Sequence, residues 1–445
     1  MVGGVSRFYS FASIGGSLYS TGDLDLEVRN SSPGVLMTTS VDLRSFNPFG
    51  PHVGLAYEYF AHARVHQPIF FSEPLQAWCL TRYEDVRAVA ADAARFSNRE
   101  AIPRPTGLPL EAQRVMDFLY DTSTLLLTDP PAHGPIRRFV HEGFSPRVVA
   151  GFEPDLQKIV GGLADTLVGP PRFDLVGGFA EMFPLLGAMR VLGFDAEHAG
   201  DLKRWVGNLM TLLAGWRFLT PEQLVEQGRS FAGAFDYLQS VIDDRRREPT
   251  DDLVSFMVHN EFRGRRLTDL EIADLAIGVL GAGWETTSAA FVSLLAVLLE
   301  EPRDKWRALV AGEADLDAVV AEGLRFDIPI LGTFRRALVD VELAGTTVRA
   351  GELVVILFSA ANHDPAQFDD PDTFRLGRPR RPDMSFGHGI HNCVGAPLAR
   401  MELSIALSAL VERFPDLRLD DPDAPVRFKP MSQFKERTEL WLRPS

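Results

Sequence analysis

The stretch Phe386-Gly-His-Gly-Ile-His-Asn-Cys-Val-Gly-Ala-Pro-Leu-Ala-Arg400 decides how the rest of the chain is read. Three glycines, Gly387, Gly389 and Gly395, surround Cys393. Glycine reaches backbone angles and close approaches that a β-carbon forbids. Beyond the cysteine, Leu398, Met401, Leu403, Ala406, Leu407 and Leu410 recur at roughly helical spacing. Cys393 is therefore expected at or just before a helix N-terminus, where free N–H groups and the positive dipole end favour a thiolate. A rigid glycine-rich loop that presents a thiolate suits a soft metal ion in a flat cofactor.

Two plainer readings compete. A cysteine ahead of a helix is often only a small buried residue. His388, His391 and Cys393 could also be zinc ligands, but structural zinc usually takes four ligands, often in two separated pairs. The one other cysteine, Cys79, is far upstream without a convincing histidine partner, and it reads as core packing.

Phe386, Gly387, Gly389, His391, Cys393 and Gly395 resemble the haem-binding signature of cytochrome P450 in its soluble bacterial form, six matches in ten residues. The resemblance implies that Cys393 is the axial thiolate of the iron in haem b (iron protoporphyrin IX), a ligand that favours O–O cleavage. Asn392 departs from the family, whose bacterial members often carry an aromatic residue there.

Length and composition agree with a large enzyme. The chain has 445 residues, 46% of them hydrophobic, enough for an extensive core. Two cysteines exclude a disulfide framework and suit a reducing compartment. A net charge of −15 argues against non-specific nucleic-acid binding. No secretory signal is visible, and the expectation is a cytoplasmic monomer with no membrane anchor. Leu275 to Leu299 is apolar enough to suggest a span, but Glu285-Thr-Thr-Ser288 interrupts it, and a mid-span charge is costly in lipid. A buried helix fits better.

In chain order, residues 1–36 are Gly- and Ser-rich without period. They read as a disordered extension, with Met37 as the natural start and 37–445 as one domain. Leu55 to Val65 has helical spacing. Pro68 to Phe71 and Ala77 to Thr81 read as a hairpin, followed by a short helix from Tyr83 to Ala90. Residues 96–110 form a loop of the kind that covers a binding site. Another short helix runs from Glu111 to Tyr120. From Pro146 to His259 the pattern is helix after helix, broken at Gly169-Pro-Pro, Gly177-Gly and Thr220-Pro. Leu209, Leu212, Leu213 and Phe218 are apolar near the last break. Val354 to Phe358 is an apolar strand, and polar strands close the chain over 417–443. The resemblance covers roughly residues 41–443 and implies the family's fold: mainly α with small β-sheets, one domain, haem between an oxygen-activating helix and the cysteine loop.

Four further motifs acquire roles through the resemblance. His133 and Arg137 are four apart, hence on one helix face; in the family this pair binds a haem propionate, as Arg335 and His391 would. Ala282-Gly283-Trp284-Glu285-Thr286-Thr287 lies in an otherwise apolar helix. Gly283 weakens that helix by about 1 kcal/mol relative to Ala, and Thr286 can bond back to the Ala282 carbonyl. Small Ala282 and Gly283 would leave room for dioxygen, and Glu285 with Thr286 match the family's acid–alcohol pair for proton delivery. Trp284 is bulkier than expected there. Glu322-Gly-Leu-Arg325 matches the Glu-x-x-Arg pair that locks the chain near the thiolate. Arg375, Arg378, Arg380 and Arg381, with Arg138 and Arg400, would form a basic face for an acidic ferredoxin.

The activity implied is insertion of one oxygen atom from O2 into an apolar small molecule, in secondary metabolism or catabolism. Electrons would come from a ferredoxin and its NAD(P)H-dependent reductase. Oxidative coupling, cyclisation or peroxide use is the alternative, and a non-catalytic haem protein is a remote one. Leu209, Gly278, Gly281, Leu331 and Thr333 are the candidate pocket residues.

Overall fold

One helix runs through the centre of the molecule. Asp269–Leu298 is 30 residues long, and Thr268 and Glu271 close a reciprocal capping box at its start. By length and composition it is apolar enough to cross a membrane. A helix apolar on all sides belongs equally in the middle of a large protein, and that is its place here. It packs against Met182–Leu192, Ala199–Gly215, Pro221–Arg247, Leu316–Phe326 and Ala396–Arg413. This computed structural model describes residues 42–50, 53–99, 101, 104–122, 125–216, 219–429 and 434–444. The extension expected over 1–36, Met37 and Phe218 lie outside the described residues.

The core divides along that helix. Its first half, Ile272 to Trp284, joins one apolar cluster with Leu110–Thr122, Ala199–Gly215 and Pro221–Arg247. Its second half, Ala290 to Leu298, joins another with Leu403, Leu407 and Leu410 of the helix that follows the cysteine. Phe179, Phe183 and Phe291 fix the second cluster, with ring centroids 5.2–5.8 Å apart. Ala199–Gly215 and Pro221–Arg247 form a roof, tied by Asn208 donating to Ser230 at 2.7 Å. Gly228 lets the roof close onto Leu110–Thr122: a Cβ there would meet the Glu111 carbonyl carbon at 2.5 Å.

The main sheet stands to one side. Its spatial order is Ile69–Ser72, Ala77–Leu80, Leu353–Ile356, Thr333–Ala337, Phe96–Ser97. The hairpin that the sequence predicts pairs Ile69 with Leu80, and Ser72, just beyond the predicted strand, with Ala77. Phe358 leaves the strand expected for it and begins the short helix Phe358–Asn362. Phe96 and Ser97, expected in a loop, pair with Ala337 and Arg336.

The helical breaks are also partly different. Gly177 and Gly178 do not interrupt the chain's helicity. They lie in a π-helical turn, Val176–Ala180, that feeds into Met182–Leu192. The stop comes instead at Gly193, in the left-handed region at φ +79, where a β-carbon would also run into Asp252.

Candidate active site

The cysteine loop is shaped by its own backbone. Cys393 N–H donates to the Phe386 carbonyl at 2.8 Å, and Gly387 N–H to the Met384 carbonyl at 2.9 Å. Gly389 has φ +76, and a β-carbon there would lie 2.3 Å from the Ala90 carbonyl oxygen. Only glycine lets the loop press against the helix Tyr83–Ala91. Gly395 caps Ala396–Arg413, so Cys393 sits just ahead of that helix. The N–H groups of Gly395 and Ala396 lie near enough to its sulfur to act on it. Burial pushes the free thiol up, while those donors and the nearby Arg137 and Arg400 pull it down. The cysteine is accessible even though chain surrounds it, so it looks into a recess and is not packed over. Arg400 lies over the Phe386 ring, 4.3 Å from its centroid.

At one edge of this recess three cationic or ionisable side chains meet. His133, on His133–Gly143, and His391, in the loop, have ring centroids 4.2 Å apart. Each has a buried Nε2 without a hydrogen-bond partner among the described residues. Burial drives His391 down to about 3, helped by His133 and Arg335, so it is neutral; burial and Arg137 lower His133 too. Arg335 is 4% exposed and donates to the Phe334 carbonyl. Burial brings its guanidinium down to about 10, and Asp129 opposes the fall. Arg335 has no ion-pair partner among the described residues. Arg137 donates to Asn392 Oδ1 at 3.0 Å. The unusual Asn392 therefore ties the cysteine loop to the neighbouring helix.

The long helix supplies the opposite wall. Val394 packs on the cluster that contains Leu280 and Trp284, which sets loop and helix against the same core. Gly278, Ala282, Glu285 and Thr286 fall on one stripe at helical spacing. Gly278 and Ala282 are exposed on a helix that is otherwise mostly buried. Thr286 Oγ1 donates to the Ala282 carbonyl at 2.6 Å, the bond its spacing allows. Glu285 is half-buried, and its carboxyl is raised to about 7. Burial is the main cause, Glu436 and Glu181 add to it, and Lys429 opposes it.

Glu322 and Arg325 are both buried and joined by two hydrogen bonds of 2.8 and 2.9 Å. Arg325 also donates to the carbonyls of Asn362 and Pro371, and Glu322 accepts from Arg375 N–H and Arg378 Nε. Arg378 is thereby withdrawn from the basic face expected of it. Arg138, Arg375, Arg380, Arg381 and Arg400 remain exposed.

The candidate pocket residues differ in how open they are. Leu209 is 1% exposed inside the roof's core. Leu331 is 1% exposed and packs with Phe46, Phe60 and Phe70 in a cluster away from the helix stripe. Gly281 is turned to the roof, where a β-carbon would meet Met210 at 2.9 Å. Gly283, expected to leave room for dioxygen, faces Ala188. Gly278 and Thr333 keep open surface. Trp284 is buried against the roof, with Lys203 Nζ 5.9 Å from its ring. Two surface recesses, about 790 and 680 Å³, are lined elsewhere, around Val225 and Tyr237, and hold none of these residues.

Sequence reading gave no role to Asp129. Its carboxylate accepts from Ser97 Oγ and Asn98 N–H at 2.5 and 2.9 Å, and its carbonyl accepts from His133 N–H at 3.1 Å. It braces the loop and the histidine helix together. The adjoining Pro130-Pro131 was the available signal.

The donor set fits haem. A soft sulfur faces the recess, and a buried cation and two buried histidine nitrogens without partners lie at one edge. These are the groups a flat, dianionic iron cofactor would complete. Fold and donor set together point to the class of haem-thiolate oxygenases. The family profile for cytochrome P450 matches residues 316–434. Nocardicin C N-oxygenase of Nocardia uniformis subsp. tsuyamanensis is 37% identical over 415 residues, 90% of this chain and 99% of the relative. Mycinamicin IV hydroxylase/epoxidase of Micromonospora griseorubida is 36% identical over 358 residues, 79% of this chain and 86% of the relative. The crystal structure of CalO2 superimposes with a TM-score of 0.82 at 29% identity, covering 90% of this chain and 99% of that one. The chain belongs to the cytochrome P450 family, and it is a monooxygenase of the bacterial type that binds haem b.

Proposed function

We propose that this enzyme inserts one oxygen atom from O2 into a largely apolar secondary metabolite, in the cytoplasm, with electrons from a ferredoxin and its NAD(P)H-dependent reductase. Relatives named for nocardicin C and mycinamicin IV support the substrate class. The exposed Arg138, Arg375, Arg380, Arg381 and Arg400 support an acidic electron donor. Residues 37–445 act as one catalytic domain.

Cys393 would hold the iron, and Arg335, Arg137, His133 and His391 would hold the propionates. Phe386 and Gly395 frame the thiolate, and Ala282 leaves space on the opposite wall. When bound, haem supplies dioxygen activation and transfer of one oxygen atom to substrate. The protein's part on the distal side is proton supply. Glu285, near neutrality in its affinity, can give up and regain a proton at working pH. The Thr286 hydroxyl donates to the Ala282 carbonyl, which leaves its oxygen lone pairs free to accept. Gly278 and Thr333 would border the substrate, and Glu322–Arg325 would hold the segment leading to the cysteine loop.

The observation that carries this reading is the acid–alcohol pair on the open stripe of an otherwise buried helix. Its test is Thr286→Ala. NAD(P)H consumption should continue while peroxide replaces most of the product. A variant that still turns nearly every NAD(P)H into product would overturn the role.

A further inference from the structure

Two neighbouring residues of the cysteine loop each meet one residue of the helix His133–Gly143. The His391 ring lies 4.2 Å from that of His133, centroid to centroid. Asn392 Oδ1 accepts from Arg137 at 3.0 Å. His133 and Arg137 are one helical turn apart, so both contacts fall on the same helix face. Cys393, the proposed iron ligand, is the next residue of the chain. Arg137 is thus joined to the cysteine by a single hydrogen bond and a single peptide unit.

The backbone that carries Asn392 is held on both sides. Asn392 follows the 3₁₀ turn Gly389–His391, and its N–H donates to the Gly389 carbonyl at 3.2 Å. The next N–H, that of Cys393, donates to the Phe386 carbonyl at 2.8 Å. The acceptor for Arg137 is therefore placed by the loop's own bonds.

The kind of acceptor decides what this contact does. A guanidinium has five N–H donors and no acceptor. Among the described residues no carboxylate pairs with Arg137. A carboxylate at position 392 would orient the guanidinium and cancel its charge. An apolar residue would leave the charge but release the side chain. The amide oxygen of Asn392 orients the guanidinium and leaves its charge in force. A fixed positive charge favours the more negative state of a nearby centre. Reduction of haem iron adds an electron, and the potentials of iron centres follow local charge and hydrogen bonding.

We propose that Asn392 is a positioning residue: it holds the Arg137 cation, its charge uncancelled, against the cysteine loop, and so raises the reduction potential of the bound haem. The inference rests on Cys393 as the iron ligand, which the carbon monoxide spectrum of each reduced variant checks on its own.

The test is a double-mutant cycle read by potentiometric titration of the haem-loaded full chain. Arg137→Gln should make the potential more negative in the wild-type background. In the Asn392→Leu background the same change should shift it by less than half as much, because the cation is no longer held there. In the Asn392→Asp background, which keeps the acceptor, the shift should be at least as large as in wild type. Loosened packing does not separate the two backgrounds in this way. Equal shifts in all three backgrounds would overturn the proposal, and so would a shift that shrinks in Asn392→Asp as it does in Asn392→Leu. Should Arg137→Gln fail to keep haem, Arg137→Lys takes its place, since an ammonium cannot reproduce the guanidinium fork. The potential should then fall in the wild-type background and hardly change in the Asn392→Leu background; equal falls would overturn the proposal. A red-shifted Soret band in every variant together with equal shifts would leave Cys393 as the ligand and remove only the role of Asn392. Absence of that band from the wild type would overturn both.

Discussion

Two buried charge clusters in this enzyme are built to opposite rules. Around Glu322 and Arg325 the guanidinium is matched to a carboxylate and two carbonyls, and the carboxylate also takes Arg375 N–H and Arg378. Around Arg335 a cation is equally buried, yet the described residues give it no carboxylate, and two histidine nitrogens beside it have no partner. Burying a charge is costly unless it is paired. The first cluster is complete as folded chain. The second is the one we propose the propionates of the cofactor complete. On that proposal, the difference separates a residue that holds the fold from one that would hold a ligand, although both are buried arginines.

The largest effect expected from this contrast is at the finished cluster. Arg325→Ala leaves Glu322 and Arg378 with a broken network, at a cost of about 3–5 kcal/mol. Denaturant unfolding of the haem-free protein should show it directly, or the variant should fail to accumulate. Arg335→Ala should behave in the opposite way. The haem-free chain should unfold at the same or slightly higher denaturant concentration, because an unpaired buried cation is gone. Haem transfer to a scavenger protein should be faster by about 10-fold or more, from the loss of a charged hydrogen bond of about 1.5–3 kcal/mol. Equal losses of chain stability in the two variants would erase the distinction.

A smaller effect sharpens the comparison from the distal side. Glu285 is raised to about 7 in the folded protein. A carboxyl with a raised folded value favours the fold below its unfolded value, and this contribution is lost as pH rises through about 7. Glu285→Gln should therefore match wild type near pH 5 and be more stable near pH 8, by on the order of 1 kcal/mol. Thermal melts at the two pH values check the sign. A gap that narrows with rising pH would contradict the assigned environment.

How much could be read without coordinates follows from the same physics. The cysteine loop was legible because its constraints are local: three glycines, one cysteine and the helical period after it. The hairpin at Ile69–Ser72 and Ala77–Leu80 and the helix at Asp269–Leu298 were legible from period and turn residues. Side-chain direction across elements was not. Gly278 and Gly281 are both small residues on one helix, but the first looks into open space and the second is pressed on Met210. Leu209 and Leu331 are apolar near the expected pocket, yet both are spent on packing. Arg378 looks like its exposed neighbours in sequence and differs from them only because Glu322, 56 positions away, reaches it.

The central claim is that Cys393 presents a thiolate to haem iron, and the absorption spectrum of the reduced protein with carbon monoxide tests it most directly. The account predicts a strongly red-shifted Soret band in the wild type and its loss in Cys393→Ala. Persistence of that band in the variant, or its absence from well-folded, haem-loaded wild type, would contradict the assignment.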